Sequence, residues 1–531
     1  MKRNLKIWIA SILCIMIHTQ CNNKLDLAPL GRLNSENFYQ TETDFEAASL
    51  SPYSTLLNLY FDQGGLGWMQ GVLMPDDDLR NPQGNNQQEE FIWLPNNGQF
   101  SYIWNESYKG IMRANVILDR LPRAAGFGNE ANKARYEGEA RFIRAYFYFL
   151  LANHFGTPPL VDKLITTVED ARVGNSAPGA VLDLVEADLK IAKANLPDAY
   201  NAANVGRATS GAATALLGKV YLYRQKYTEA ATELGSLVGR YSLVPNFGDN
   251  FREATENNAE SIFEIQMTRG DFNPWLSTDF GLEQDQNVGS AGTGRIIFMG
   301  PACHLGQCAP GANGQGYGSG HVTLSLQNAF EPGDPRKEWT FFANGDELGN
   351  FACDHDNDPS TPAVNPCLFN SNWSITGATP SKYLKPYTIN RDPPNHSSNN
   401  DRTIRYADVL LMLAEARLMG SNDVAGAAGL INEVRRRADP SGAILPDRES
   451  GVSRDQMFQW LMQERRVELA FEGHRYNDLV RWHNAGLINI TTDVDFGNQL
   501  AQQNWQTRHL LKPIPQGELD NNPNLSQNPG Y

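Results

Sequence analysis

The strongest constraint on this chain is the run from Gln463 to Trp482, QERRVELAFEGHRYNDLVRW. Ser453 precedes it as an N-cap, because its hydroxyl can accept an orphan backbone N–H. Gly473 suits the left-handed residue just past a helix end. The pattern therefore predicts a helix from Ser453 to Gly473 and a second one over about 475–482. Glu464, Glu468 and Glu472 recur at i, i+4 and i+8, so they stack along one stripe. Phe458, Leu461, Met462, Val467, Leu469 and Phe471 cover most of the remaining circumference, and a helix that apolar is buried. Three buried carboxylates survive only when paired and hydrogen-bonded. The cations at hand are Arg465, Arg466 and Arg475 nearby, with Arg405, Arg417 and Arg435 to Arg437 further away. The expectation is a buried Glu/Arg clasp holding several helices in register, rather than two carboxylates set up for acid–base catalysis.

The other end of the chain reads as a leader. Lys2, Arg3 and Lys6 precede an apolar run from Ile7 to Ile17, too short to span a bilayer. Residues 1–20 form the expected signal peptide. Cys21 follows four residues after the apolar run, the place of the lipidation residue in a lipoprotein, with an ordinary secreted chain the alternative. The chain carries 45 basic and 60 acidic residues, and loss of the leader makes its net charge of −15 three units more negative. That balance excludes nucleic acid and anionic membrane surfaces as general partners.

Helical patterning dominates the chain as far as residue 255. Helices are expected over 41–59, from the Trp104 region to Leu121, over 136–155 and over 181–196. Residues 210–245 carry a tetratricopeptide-type pattern, with Leu217, Gly218, Tyr221, Ala230 and Leu234 at that motif's offsets. Residues 405–437 read as a similar helix pair. Such units bury their faces only by stacking on one another. Residues 255–400 break the pattern with a short strand at 261–266 and long Gly/Asn/Pro-rich loops. The fold class is thus mostly α: a tetratricopeptide-like helical scaffold, an irregular loop-rich lobe and a few short strands. Its parts are a helical segment of about 30–255, a loop-rich lobe of about 256–400, and a helical segment with a docked tail over about 401–531.

The loops hold the candidate binding residues. In 61–104, Trp68, Asp76, Asp77, Arg80 and Trp93 sit among Gly, Asn, Gln and Pro. Sugars stack their C–H faces on flat rings and need Asp, Asn and Arg for their hydroxyls, so this composition suits a sugar. Trp275 and Trp373 are the aromatics of the later lobe placed to face a ligand, whereas Trp104 is read as core. Asp354, Asp356 and Asp358 alternate, as calcium ligands can, but lack the later bidentate Glu and the turn Gly, and a solvated acidic turn is the simpler reading. Cys303 with Cys308, and Cys353 with Cys367, form two close pairs. Disulfides are the simpler assignment for an exported chain, with zinc the alternative because His304 and His355 lie beside them. No metalloprotease helix, nucleophile elbow or phosphate loop appears in the sequence.

Several of these stretches resemble the SusD/RagB family of outer-membrane lipoproteins. ERRVELAFEGHRYNDLVRW is similar to that family's C-terminal signature, as are GEARFIRAYFYFLL, FGTPPLV, the Asp334-Pro335-Arg336 turn and the closing segments at 511–519 and 527–531. The Leu25-Asp26-Leu27-Ala28-Pro29 tether after Cys21 resembles it too. The resemblance implies a lipid-anchored protein on the outer face of the outer membrane. It also implies capture of an oligosaccharide, handed to a SusC-like TonB-dependent transporter, without catalysis and without a cofactor. A RagB-like peptide ligand is the alternative within the family, and a glycoside hydrolase the alternative outside it.

Overall fold

The computed structural model describes residues 38–61, 68–81, 87–124, 126–267, 299–301, 318–349, 366–384 and 398–531. The leader, Cys21, the tether, Trp275, the Asp354 to Asp358 alternation, and Cys303, Cys308 and Cys353 lie outside these residues.

Helix α1 (Glu42–Phe61) packs on α2 (Gly98–Arg120), and α2 on α3 (Glu130–Phe155). Then α3 packs on α4 (Ala180–Asn195), α4 on α5 (Ser210–Tyr223), and α5 on α6 (Tyr227–Gly235). The stack continues through α7 (Tyr406–Ser421) and α8 (Val424–Ala438) to α9 (Arg454–Glu468), which is followed by α10 (Arg475–Asn484). Local chemistry sets the helix starts. Asn129, Thr209, Asp423 and Ser453 each accept a first-turn backbone N–H with a side-chain oxygen.

The tetratricopeptide-type pair forms as its spacing requires. A Cβ added at Gly218 would lie 2.6 Å from Leu234, so α5 and α6 meet backbone-close, with Ala230 and Leu234 fully buried. One continuous core runs from Leu56 to Leu525, so the helices before and after the loop-rich lobe share it.

The strands are short and pair across long sequence distances. β1 (Leu79–Arg80) pairs with β3 (His321–Val322), setting Arg80 opposite His321. β2 (Ser261–Ile265) runs antiparallel to β8 (Asp401–Arg405). β4 (Phe341–Phe342) pairs with β7 (Thr379–Pro380), and β5 (Glu347–Gly349) with β6 (Cys367–Leu368).

Candidate functional site

Every glutamate of the expected stripe is buried and ion-paired. Glu464 meets Arg336 and, at 3.0 Å, Arg435. Glu468 meets Arg405 at 2.7 Å, Arg336 at 3.1 Å, and Arg437. Glu472 meets Arg405 and Lys382, each at 2.7 Å. Glu260, just before β2, and Asp334 close the cluster, against Arg405 and Arg437 and against Arg336 respectively. Burial pushes the Glu468 carboxyl up, but Arg437, Arg405 and Arg336 outweigh it and hold the group far below the usual carboxylate range. The clasp is therefore charged and structural.

Two details of the expectation change. Helix α9 ends at Glu468, not near Gly473, because Phe471 and Gly473 both take positive φ, +63° and +80°. Glu472 thus reaches the cluster from the turn after the helix. The nearby arginines also serve other groups: Arg465 binds Asp408 and Asp478, while Arg466 and Arg475 leave the stripe altogether.

Those two arginines hold the acidic turn. Arg475 grips Asp77 bidentately at 2.6 and 2.7 Å, and Arg466 reaches Asp77 at 3.0 Å and Asp78 at 2.8 Å. Asp76 turns inward, and its Oδ1 accepts from the Asp78 and Leu79 N–H groups. Burial, then Asp78 and Asp77, raise the Asp76 pKa well above the carboxylate range. Burial also acts on Asp77, yet Arg466 and Arg475 hold it low. Asp76 and Asp77, expected to meet a ligand, are 7 % and 1 % exposed, so they support the turn from beneath. Beside them, Trp68 stacks on Tyr60 with ring centroids 4.3 Å apart. A Cβ at Gly473 would come within 2.5 Å of the Trp68 ring, so the glycine is needed both for its left-handed φ and for this contact.

Arg80 leads out of this turn and behaves differently. It is half-buried on β1, and its guanidinium has no hydrogen-bond or ion-pair partner among the described residues. Its neighbour Glu89 is buried, accepts from the Asn81 backbone N–H and the Asn498 amide, and is pushed by burial up to about 7. On the far side of β3, the His321 ring accepts from the Ile375 N–H at 2.9 Å, and Val322 N–H donates to the Ala378 carbonyl. Exposed Leu324 and Ile375 flank β3 in sequence and through that hydrogen bond.

The other aromatics expected to face a ligand are core residues in this structure. Trp93 is 1 % exposed, donates to the Gln88 carbonyl, and is enclosed by Phe91, Phe100, Tyr476 and His509. Trp373 is 3 % exposed against Phe369. Polar flanking sequence made both look solvent-facing, whereas the distant Tyr476 and His509 cover Trp93 and Phe369 packs on Trp373. Trp68 is 7 % exposed, and its indole N–H finds no acceptor among the described residues. Trp104 packs in the core on Phe155 as expected. Cys367 is buried and disulfide-bonded, and every other cysteine lies outside the described residues. Lys382 in the clasp carries no sequence signal: it is a lone lysine in a loop, drawn in by Glu472 and by the Glu468 and Ala470 carbonyls.

Comparison with known proteins supplies the family. Residues 259–531 match the model described as SusD family, and residues 74–222 match one described as starch-binding associating with outer membrane. A SusD-like protein of Formosa agariphila is 26 % identical over 96 % of both chains. The starch-binding protein SusD of Bacteroides thetaiotaomicron is 21 % identical over 97 % of this chain and 96 % of its own. A solved structure of a laminarin-binding SusD-like protein superposes with a TM-score of 0.72, at 28 % identity, covering 93 % of this chain and all of the other. With a matching model spanning more than half its length, this chain belongs to the SusD family.

Proposed function

We propose that the protein captures an oligosaccharide and hands it to a SusC-like TonB-dependent transporter, anchored to the outer membrane through lipidated Cys21. It does so as a binding protein without catalytic turnover. The starch-binding and laminarin-binding relatives support a glucan as ligand. Among the described residues, no helix is long and apolar enough to cross a membrane, in keeping with anchoring by a lipid. The observation that carries the reading is the Arg80 guanidinium. It is unpartnered among the described residues, on a strand whose preceding carboxylates are all pinned below it; its Nε is buried, which leaves the N–H donors of the two terminal nitrogens for sugar hydroxyls. The same pinning argues against a hydrolase. Asp76, Asp77 and Asp78 are sequential, buried and committed to backbone or arginine partners, not opposed across a cleft.

The test is isothermal titration calorimetry of residues 22–531 against α-glucan and β-1,3-glucan oligosaccharides, with each mixture checked for cleavage. Saturable binding without cleavage is expected, weakened more than tenfold by Arg80→Ala. Product formation overturns the binding-protein reading. Silence toward glycans with binding of peptides moves the chain to the RagB-like reading.

A further inference from the structure

The C-terminal tail crosses back over the helical core, and one lysine joins the two. Lys512 donates its backbone N–H to the His154 carbonyl at 2.6 Å, and its Nζ lies 2.8 Å from His154 Nδ1 at the end of α3. Asn528 reinforces the joint by donating to the Phe155 carbonyl (3.1 Å) and to the Lys512 carbonyl (2.8 Å). Tyr531 donates to the Leu511 carbonyl. Lys512 and His154 are 2 % and 3 % exposed. The ammonium faces the rings of Trp93, Phe100 and Tyr476 at 5.3, 5.8 and 5.9 Å. Among the described residues no carboxylate lies within ion-pair distance of it, and His154 Nε2 has no partner.

The other titratable groups around the pair are already engaged. The Tyr476 hydroxyl donates to the His509 carbonyl, and His509 Nδ1 accepts from the Gln506 N–H. Arg508 donates to the Gly530 carbonyl and lies over the Tyr531 ring. Glu89, near Trp93 in sequence, is committed to Asn81 and Asn498, and Glu518, on the tail itself, faces Trp104. Elsewhere in this molecule buried cations sit among glutamates or aspartates. Here the lysine has a neutral imidazole and three rings.

We propose that Lys512 and His154 form a pH-sensitive latch that holds the C-terminal tail on the helical core. A neutral imidazole Nδ1 accepts one N–H from the lysine, so the joint tolerates at most one positive charge. A second proton places two cations in contact with no counter-charge, and the tail must leave for both to be hydrated. Burial lowers Lys512 to about 7, and burial together with Lys512 holds His154 well below its usual value. Release of the tail therefore takes up protons. For Lys512 the docked state loses ground as pH falls from 10.5 to about 7, and for His154 from 6.5 downward. Each group weakens docking about tenfold between pH 8 and pH 5.5, and the two together about a hundredfold.

The experiment is hydrogen–deuterium exchange of residues 22–531 across that pH range, corrected for the intrinsic exchange rate, with peptides from 508–531 read against peptides from α7. Protection of the tail should fall about a hundredfold while α7 holds. Lys512→Met, which keeps an unbranched chain without the charge, should remove about tenfold of that fall. His154→Gln, which keeps an acceptor that does not titrate, should remove the part below pH 6.5. Tail protection that is flat with pH, or a pH dependence that either folded variant leaves intact, overturns the latch.

Discussion

The clasp and the acidic turn are both clusters of buried carboxylates against α9 and the residues after it, but their charges balance differently. In the clasp, Glu260, Asp334, Glu464, Glu468 and Glu472 meet Arg336, Lys382, Arg405, Arg435 and Arg437, one cation for each carboxylate. In the acidic turn three aspartates share two arginines. The surplus falls most heavily on Asp76, which is raised well above its ordinary value by burial, Asp78 and Asp77; burial also raises Asp78, while Arg466 and Arg475 outweigh burial and lower Asp77. A balanced cluster is a lock between elements. An unbalanced one raises the proton affinity of its surplus carboxyl, and its aspartates face Arg466 and Arg475 rather than Arg80, the next cation along the chain.

Breaking the balanced cluster should have the largest effect. Glu468→Ala takes a shared partner from Arg336, Arg405 and Arg437 and leaves the dry cluster one carboxylate short of its five cations, which should cost about 3–5 kcal/mol in urea unfolding, or prevent folding. In the acidic turn the same type of change should split. Asp77→Asn breaks a bidentate pair with Arg475 and should cost about 2–3 kcal/mol at pH 7. Asp76→Asn removes a charge that burial and the neighbouring aspartates oppose, and its amide oxygen can still accept from Asp78 and Leu79, so it should lie within about 0.5 kcal/mol of the parent or above it. The sign is checked by pH. A raised carboxyl stabilises fully below its unfolded value of 3.8 and loses that contribution as pH climbs toward its folded value. The stability difference between Asp76→Asn and the parent should therefore grow in favour of the variant from pH 4.5 to pH 7.5, and a constant difference would show that Asp76 is charged. The smallest stability change is expected for Arg80→Ala, within about 0.5 kcal/mol, because no described contact is lost. A large loss there would make Arg80 a structural residue like its neighbours.

The fold was legible because its signals are local. N-caps such as Ser453, the Gly218–Leu234 approach and the 3.6-residue stripes need only neighbouring residues to act. The clasp was legible as a requirement, since three stacked glutamates demand cations. Its actual members were partly hidden: Arg336 and Lys382 arrive from loops whose paths no periodicity sets. The tryptophans show the limit most plainly. Trp93 lies in a polar stretch, yet Lys512 and His509, more than four hundred residues later, wall it in. Exposure depends on which remote segments return, and single-sequence composition does not record that.

The order of the clasp along the chain has a consequence in time. Arg336, Lys382, Arg405, Arg435 and Arg437 all precede Glu464, Glu468 and Glu472. A chain emerging amino end first brings out the cations before the stripe of carboxylates that allows them to be buried. Until α9 and its turn emerge, these five cations have only Glu260 and Asp334 of their five clasp carboxylates, so the cluster cannot close until most of the chain is present.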